Sequence, residues 1–548
     1  MIVNNIVYGN TDLDGTAANN YVNVSGSTKI GRWQNNCIGE GSVTFPDTAN
    51  NVFRDDPMLS ADGIHLQPTS PCIGRGNTSY ALAADIDGVP RGDPPCIGCS
   101  EFVSSATFTC AITNNAPASA FVSVPETITL GVTIDGTPTL PLSYAWDLDG
   151  DGVADTNGAE VVLSEPGRYN VTVWVMDADE NEVSAMSDTA FYIYPEEKVF
   201  YVVSGGNPTS RSPYLTWETA ATTIADAYSH ARRFTGSRIV LGDGVHTITS
   251  TLLLTNALVV ASANGRAHTK ISRGISSGAY SSITIDDPDS VLEGVTVVSG
   301  GKNPYVAGVF VNSGTMRGCA VTGWRHTGGG TVYMNGASVN RPARLERCVI
   351  ANNTANGSGT IVGVYMLRHS TMENCLVTNN VSDYSSSSVT GVDAGVNCAS
   401  VDAVIRNCTF ADNRGANAPP VFFQYAPGVF ENNIVTGGTT NGTDGVAAAN
   451  DCTVGFNATL IRNLNNCCLY PAALDYSGKT GVLTCAPGFV GPGDCHLSVQ
   501  SPCVNAGVLA GYTEESLDLD GKPRIYRRKV DIGCYENKQA LGLMAIIQ

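Results

Sequence analysis

The sequence predicts an all-β protein whose largest part is a parallel β-helix, a solenoid of stacked coils. Glycine is abundant, with 59 residues, and only 15% of the 548 residues are charged, a composition that favours strands and turns over helical bundles. A six-residue phrase recurs through the second half of the chain, and no helix-period segment separates its copies. The length also exceeds the roughly 250–300 residues at which single cores stop growing, so we expect two or more units.

The repeated phrase defines the coils of the predicted β-helix. It alternates apolar and polar residues with period two, as a strand with one buried face does. A second short strand precedes most copies, so each coil contains at least two strands, and the variable spacing indicates loops of different length. The six copies begin at residues 292, 316, 345, 372, 405 and 430 and read LEGVTV, MRGCAV, LERCVI, MENCLV, IRNCTF and FENNIV.

Cysteine and asparagine recur at fixed places in these coils. Four cysteines share one position of the phrase, which predicts a buried column of thiols and not a set of disulfides. The asparagines that close the motif are expected to bond from coil to coil and to adopt the left-handed turn conformation. The cysteines are Cys319, Cys348, Cys375 and Cys408, and the asparagines are Asn352, Asn353, Asn379, Asn380 and Asn413.

A solenoid needs a cap, because its first coil would otherwise expose core and strand edges. The run from Thr216 to Phe234 places Ala220, Ile224, Ala227 and Ala231 at three- and four-residue spacings. This pattern predicts an amphipathic helix that covers the start of the second β-helix.

The segment from about 107 to 195 has a different pattern. Its predicted strands are longer, alternate apolar and polar residues, and are separated by turns that contain Pro and Gly. This pattern is typical of a β-sandwich, and Trp146 is expected in its core. Asp147, Asp149, Asp151 and Asp155 place oxygen ligands at the spacing of a loop that wraps Ca²⁺. Position 158 holds Gly where such a loop would place a bidentate Glu, so a solvated hairpin without metal is the alternative.

A closing signature appears at the end of the chain and again near its start. Residues 501–507, 518–524 and 531–536 have counterparts at 70–76, 85–91 and 97–102. We therefore expect residues 1–104 to be the last coils and tail of a first β-helix. The matched cysteines predict one disulfide in each tail, Cys72–Cys99 and Cys503–Cys534. A zinc site at Cys96 and Cys99 is the rival interpretation, although His is scarce.

The "YVVSGG" opening, the repeated "NC" coils and the closing signature resemble the right-handed parallel β-helix proteins of the pectate-lyase-like superfamily, of the choice-of-anchor or outer-membrane β-helix type. The phrases "YAWDLDGDG" and "PGRYNVTVWVMDADEN" resemble a polycystic-kidney-disease (PKD) type domain. The resemblance implies an Ig-like PKD sandwich at 105–196 and a complete right-handed β-helix with an N-terminal helical cap at 197–537. Residues 538–548 would then form a tail.

Charge and targeting signals restrict the partners. The net charge of −19 disfavours nucleic acid and anionic membranes and favours divalent cations. No segment reaches the length of a membrane span, and no signal peptide is visible. The resemblance and the predicted disulfides imply a secreted or cell-surface protein whose partners are extracellular glycans or copies of itself. Copies would stack end to end from an open first coil if Met1 is the mature start, whereas the earlier coils would lie upstream if the start is truncated.

Few residues stand out as catalytic. The best constellation is Arg325 and His326 with His369 and Asp393, if their loops lie together. Aromatic residues offer a platform for a sugar ring, for which rung periodicity is the alternative explanation. They are Trp324, Tyr365 and Tyr384.

These features favour an extracellular structural or adhesive protein that self-assembles end to end or binds carbohydrate, with Ca²⁺ as its single candidate cofactor. The alternative is a polysaccharide lyase or glycoside hydrolase on the same fold, because fold alone does not decide activity.

Overall fold

A computed structural model of the chain describes most of its residues. They are 2–7, 33–34, 36–38, 52–53, 56–60, 62–67, 70–102, 108–179, 181–274, 281–299, 307–326, 330–355, 361–382, 396–398, 402–415, 421–423, 428–437, 439–441, 447–448, 454–455, 464–470, 476, 478–509 and 511–538. The chain divides into two compact units, Met1–Glu196 and Glu197–Gln548.

The first unit begins with short strands that pair in parallel. Two small sheets form here, with the orders β1-β3 and β2-β4-β5. A 3-10 turn, Thr78–Tyr80, follows them. The strands are β1 (Ile2–Val3), β2 (Ile6–Val7), β3 (Trp33–Gln34), β4 (Cys37–Ile38) and β5 (Val52–Phe53).

The rest of the first unit consists of longer strands in predominantly antiparallel sheets. They are β6 (Phe108–Asn114), β7 (Phe121–Ser123), β8 (Ile128–Gly136), β9 (Ser143–Asp147), β10 (Thr156–Asn157), β11 (Glu160–Leu163), β12 (Gly167–Tyr169), β13 (Thr172–Met176), β14 (Glu182–Met186) and β15 (Phe191–Tyr194). A four-stranded sheet, β10-β9-β13-β14, and two three-stranded sheets, β11-β8-β6 and β12-β15-β7, share one apolar core. Trp146 is fully buried in that core, as predicted, and its indole N–H donates to the Gly158 carbonyl at 2.8 Å.

The second unit is a parallel β-helix. Its strands are β16 (Val199–Val202), β17 (Arg238–Leu241), β18 (Gly244–Ile248), β19 (Leu252–Leu254), β20 (Val259–Ser262), β21 (Thr269–Arg273), β22 (Ser281–Glu293), β23 (Thr296–Val298), β24 (Ala307–Arg317), β25 (Ala320–Thr322), β26 (Arg325–His326), β27 (Gly330–Met334), β28 (Ala343–Glu346), β29 (Val349–Ala351), β30 (Thr354–Ala355), β31 (Ile361–Met366), β32 (Ser370–Glu373), β33 (Leu376–Thr378), β34 (Val381–Ser382), β35 (Val396–Cys398), β36 (Val404–Arg406), β37 (Thr409–Ala411), β38 (Arg414–Gly415), β39 (Val421–Phe423), β40 (Val429–Glu431), β41 (Ile434–Thr436), β42 (Thr439–Asn441), β43 (Ala447–Ala448), β44 (Val454–Gly455), β45 (Leu464–Asn465), β46 (Cys468–Tyr470), β47 (Phe489–Gly491) and β48 (Asp494–Leu497).

Three long sheets run along the β-helix. The largest has sixteen strands, the second has nine with the order β18-β21-β23-β25-β29-β33-β37-β41-β46, and the third has six with the order β26-β30-β34-β38-β42-β43. Nearly all pairings are parallel and join one coil to the next, as in β32 with β36 and β33 with β37. The predicted right-handed parallel β-helix is therefore confirmed, and its core is formed by the inward-facing residue of each strand.

The repeated phrase differs from the prediction in one respect: it is two strands around a corner and not a single strand. Its third residue adopts a left-handed conformation in each of the six coils, with φ of +54° at Arg347 and +53° at Asn374. Glycine and asparagine tolerate this region, which is why they occur so often at that position. The phrase thus carries the chain from the sixteen-stranded sheet to the nine-stranded sheet.

The predicted cap is present but shorter than the apolar spacing suggested. The helix α1 spans Ile224–Ala231, and the Thr223 side chain caps it by accepting from the Asp226 N–H. Ala220 lies before the helix. The next residue, Ala221, forms a parallel β-bridge with Val202 of strand β16, so the chain is still extended there. Ile224, Ala227 and Ala231 are buried against the end of the β-helix, as predicted.

Buried polar ladders stabilise the coils. Asn353 donates from its amide to Asn380, and Asn380 donates to Asn413, each at 2.9 Å. Cys319, Cys348, Cys375 and Cys408 are fully buried free thiols. Both predicted columns are confirmed, and Cys467 adds a fifth buried thiol at the same position of a later coil.

Among the described residues, the structure contains no helix long and apolar enough to cross a membrane.

Candidate functional site

The aspartate loop of the first unit brings three of its four predicted ligands together. Carboxylate oxygens of Asp147, Asp149 and Asp151 all lie within 4.8 Å of one another. Asp147 is buried and accepts the backbone N–H groups of Gly150 and Gly152, so it also holds the loop in shape. Asp155 points elsewhere, because its carboxylate accepts the Leu148 N–H at 2.7 Å. Calcium binding stays a prediction, with three candidate carboxylates.

The predicted catalytic constellation is distributed over separate elements. Arg325 and His326 form strand β26 of the six-stranded sheet, and the Arg325 side chain is exposed. His369 lies at a corner before β32, where its Nδ1 is 2.5 Å from the Asp402 carboxylate. Asp393 lies outside the described residues. The acid that partners His369 is thus Asp402, which occupies the equivalent corner one coil further along.

The predicted aromatic platform is wrong for Trp324. Its side chain is 1% exposed, because it fills the interior of the β-helix and donates its indole N–H to the Val297 carbonyl. Tyr365 lies on the outer face in a row with Tyr333 and Phe310. The ring centroids of Tyr365 and Tyr333 are 5.1 Å apart, and those of Tyr333 and Phe310 are 4.5 Å apart. These rings pack on each other along the axis, which is the rung periodicity that was the alternative explanation. Tyr384 lies outside the described residues.

The predicted disulfides are not formed in the structure. Cys99, Cys503 and Cys534 are free thiols, so neither Cys72–Cys99 nor Cys503–Cys534 is bonded. The reason is packing: Cys99 is exposed whereas Cys72 is buried. Cys503 and Cys534 also belong to two different core clusters.

A polar cleft that the sequence did not single out lies on the outer face of the β-helix. It encloses about 340 Å³ between a column of charged side chains on the sixteen-stranded sheet and the tail segment 511–517. The tail reaches this position because it packs along the coils, where the Asn407 and Asn432 amides donate to its carbonyls. The lining residues are Glu346, Arg347, Glu373, Asn374, Arg406, Gly511, Tyr512, Glu515, Ser516 and Leu517.

The charged column consists of one outward-facing residue from each coil, in register. Its members are Glu293, Arg317, Glu346, Glu373, Arg406 and Glu431. Arginine and glutamate alternate along it, with Arg317 Nε 2.9 Å from Glu346 and an Arg406 guanidinium N–H 3.0 Å from Glu373. The alternation breaks once, where Glu346 and Glu373 are direct neighbours on adjacent strands about 4.8 Å apart. This like-charge pair lies in the wall of the cleft.

The cleft perturbs its ionisable groups. Burial raises the pKa of Glu373, and the neighbouring Glu346 charge raises it further, while Arg406 opposes both effects. Burial also raises the pKa of the Tyr512 hydroxyl. Within the described part of the chain, the buried Tyr512 hydroxyl and the Asn374 Oδ1 atom have no hydrogen-bond partner. The cleft lining therefore combines two neighbouring carboxyl groups, one with a raised pKa, and two side chains whose buried polar atoms lack a partner among the described residues.

The sequence contains the signal for this site, although only the fold makes it visible. The second residue of the repeated phrase is Glu or Arg in all six copies, and copies three and four carry Glu in succession. Phrases in adjacent coils stack, so two successive glutamates predict a like-charge pair. Tyr512 gave no comparable signal, because its place depends on how the tail packs.

When the chain is compared with known proteins, similar proteins are found among the solved structures and not among family models or curated proteins. The pectate lyase Pel9A matches with 15% identity and a TM-score of 0.32 over 62% of this chain and 96% of its own. The Dettilon tailspike protein matches with 16% identity and a TM-score of 0.25 over 44% of each chain. The GH87 α-1,3-glucanase from Streptomyces thermodiastaticus matches with 12% identity and a TM-score of 0.18 over 71% of this chain and 98% of its own.

Proposed function

We propose that the protein is a secreted or cell-surface protein that binds carbohydrate in the cleft between the Glu346–Glu373 pair and Tyr512. One observation carries the proposal: Tyr512 and Asn374 line the cleft, and each has a buried polar atom without a partner among the described residues. A buried polar group that lacks a partner costs free energy, which a hydroxyl-rich ligand recovers when it binds.

The chemistry of the lining favours a sugar over other ligand classes. The cleft offers acceptors on Glu346 and Glu373, donors on Arg406, and a hydroxyl on Tyr512 that does both. A saccharide presents donors and acceptors in the same alternating way. Three glutamates and two arginines give the lining a balanced to slightly negative charge, which disfavours strongly anionic ligands.

Binding to a glycan array, followed by calorimetry on the best ligand, tests the proposal. We expect Glu373→Gln and Tyr512→Phe each to weaken binding about tenfold, because each removes one hydrogen bond worth about 1.4 kcal/mol. Glu293→Gln is the matched control, since Glu293 belongs to the same column but does not line the cleft. Unchanged affinity in both cleft variants would place the site elsewhere, and a protein that no glycan retains would refute the proposal.

The like-charge pair favours a second candidate function, hydrolysis of a glycosidic bond in the same cleft. A carboxyl whose pKa is raised can donate a proton to a leaving group while a neighbouring carboxylate acts as base or nucleophile. Glu373 suits the first role and Glu346 the second, because burial and like charge act on Glu373. Release of reducing ends by the wild type and its loss in Glu346→Gln and Glu373→Gln would support this candidate. Retention of glycans without turnover would leave binding as the function.

A further inference from the structure

The two tails of the chain close their coils with the same backbone hydrogen bonds. In each tail copy, the two backbone carbonyls of an Asn-Asn pair on the earlier coil accept N–H groups. One N–H comes from a cysteine of the next strand, and the other comes from a glycine of the tail. A second cysteine, in the Ser-Pro-Cys segment, accepts from the isoleucine that precedes this glycine. The bonds of the first copy are Cys37 N to Asn5 O at 2.9 Å, Ile97 N to Cys72 O at 2.8 Å and Gly98 N to Asn4 O at 3.0 Å. Those of the second copy are Cys468 N to Asn433 O at 2.9 Å, Ile532 N to Cys503 O at 3.0 Å and Gly533 N to Asn432 O at 2.8 Å.

These bonds arrange two isoleucines and two cysteines as a four-residue layer in the second copy. Ile434 and Cys468 are register partners on adjacent strands, and Ile532 and Cys503 are joined by a hydrogen bond in the tail. Gly533 lies directly against the Ile434 side chain, where an added Cβ would come within 2.6 Å of its Cδ1. Gly533 of the tail thus lies over Ile434, the register partner of Cys468. All four side chains belong to one buried cluster.

The first copy repeats this layer with equivalent residues. Ile6 and Cys37 are register partners, and a Cβ on Gly98 would come within 2.8 Å of the Ile6 Cδ1. Cys37, Cys72 and Ile97 belong to one buried cluster, with Ile6 packed against it. The stretches 37–72 and 468–503 are also equal in length. Two independent occurrences of the same buried cysteine pair make a chance arrangement improbable.

Neither Cys37 and Cys72 nor Cys468 and Cys503 are joined by a disulfide in the structure. We propose that these two pairs become disulfides when the protein is oxidised, and that each bond then ties a tail to the last coil it closes. In the bond-forming step, two thiols lose two protons and two electrons and one S–S bond forms. The electrons and protons pass to a small-molecule disulfide such as oxidised glutathione, which is reduced to two thiols. Each bond closes a long loop in the unfolded chain and thereby favours the folded tail.

Cys99 and Cys534 are also matched by the duplication, but Cys99 is exposed and Cys534 packs with Cys495 in a neighbouring cluster. Cys495 and Cys96 have no cysteine counterpart in the other copy, since the position equivalent to Cys495 is Ile64. Cys96 lies close to Cys72, but the equivalent position in the second copy is Asp531. A pairing that depends on either would therefore occur in one tail alone.

Peptide mapping of the full chain tests the proposal directly. The protein is equilibrated with reduced and oxidised glutathione, alkylated with iodoacetamide in denaturant, digested without reductant and analysed by mass spectrometry. We expect two linked species, Cys37–Cys72 and Cys468–Cys503, while Cys319, Cys348 and Cys375 are alkylated as internal controls. Alkylation of these four cysteines, or their linkage to other cysteines, would overturn the proposal.

Two variants separate the proposed pair from general effects of losing a buried thiol. In Cys503→Ser we expect Cys468 to be alkylated and the Cys37–Cys72 species to persist. In the matched control Cys495→Ser both linked species should persist, and their loss would count against the assignment. Dithiothreitol should lower the Tm of the wild type by several degrees and leave that of a Cys72→Ser, Cys503→Ser double variant unchanged. If a variant does not fold, the wild-type peptide map decides.

Discussion

The buried acid Glu536 shows how the closing tail depends on single ionisable residues. Its carboxylate lies 3.6 Å from Arg524, and both side chains are almost fully buried. Burial raises the pKa of Glu536 to about 8, and the nearby Asp531 charge adds to this effect while Arg524 opposes it. Two further buried aspartates, Asp518 and Asp531, accept backbone N–H groups and so fix the turns of the tail.

The raised pKa predicts a loss of stability with rising pH. Between about 4.5, the ordinary pKa of the carboxyl, and about 8, the folded state binds a proton that the unfolded state has released. Unfolding therefore releases protons, and the Tm of the second unit should fall as pH rises from 5 to 8. In Glu536→Gln, whose neutral amide resembles the protonated acid, we expect a smaller decline over this range. An equally steep decline in the variant and in the exposed control Glu514→Gln would contradict the assignment.

At the scale of elements, the asparagine ladder and the thiol column occupy the two ends of three strands of the nine-stranded sheet, β29, β33 and β37. Asn380 is fully buried, accepts the Asn353 amide, and donates to the Ile350 carbonyl at 2.9 Å and to Asn413. Each buried amide thus bonds to the coils on either side, and the ladder joins coils whose intervening loops vary in length. Ladders of this kind are the sequence feature that made the β-helix recognisable.

Removal of one ladder amide should destabilise the β-helix locally. We expect Asn380→Ala to lower the free energy of unfolding by about 2–3 kcal/mol. The variant removes the acceptor of the Asn353 backbone N–H and of one Asn353 amide N–H, and the donor to the Ile350 carbonyl. Asn379→Gly is the matched control: Asn379 is exposed and has φ of +52°, which glycine adopts readily. Urea denaturation of both variants measures the difference, and equal effects would show that the amide bonds are not the cause.

At the scale of the whole molecule, the division into two compact units has a thermodynamic consequence. Each unit has its own buried core, with Trp146 in the first and the stacked coils in the second. Calorimetry of the full chain should therefore show at least two transitions. Asn380→Ala should lower the transition of the second unit alone, by several degrees. A single transition that moves as a whole in this variant would show that the units unfold together.

The sequence by itself determined the parts of this protein that depend on short-range order. Hydrophobic alternation and the recurrence of one phrase are local properties, so they predicted the parallel β-helix, the buried Cys319 to Cys408 column and the Asn353–Asn380–Asn413 ladder. Trp146 was predicted in the sandwich core for the same reason. The duplicated closing signature was also visible, since it requires only a comparison of residues 70–102 with 501–536.

Only the tertiary structure decided which side chains from distant parts of the chain meet. It placed Trp324 inside the β-helix, gave His369 the partner Asp402, and brought Tyr512 of the tail against Glu373 of the sheet. It also placed Cys503 in the cluster of Cys468 and away from Cys534. The physical reason is that strand pairing follows from local pattern, whereas the path of the tail across the coils is set by packing and hydrogen bonds between residues far apart in sequence.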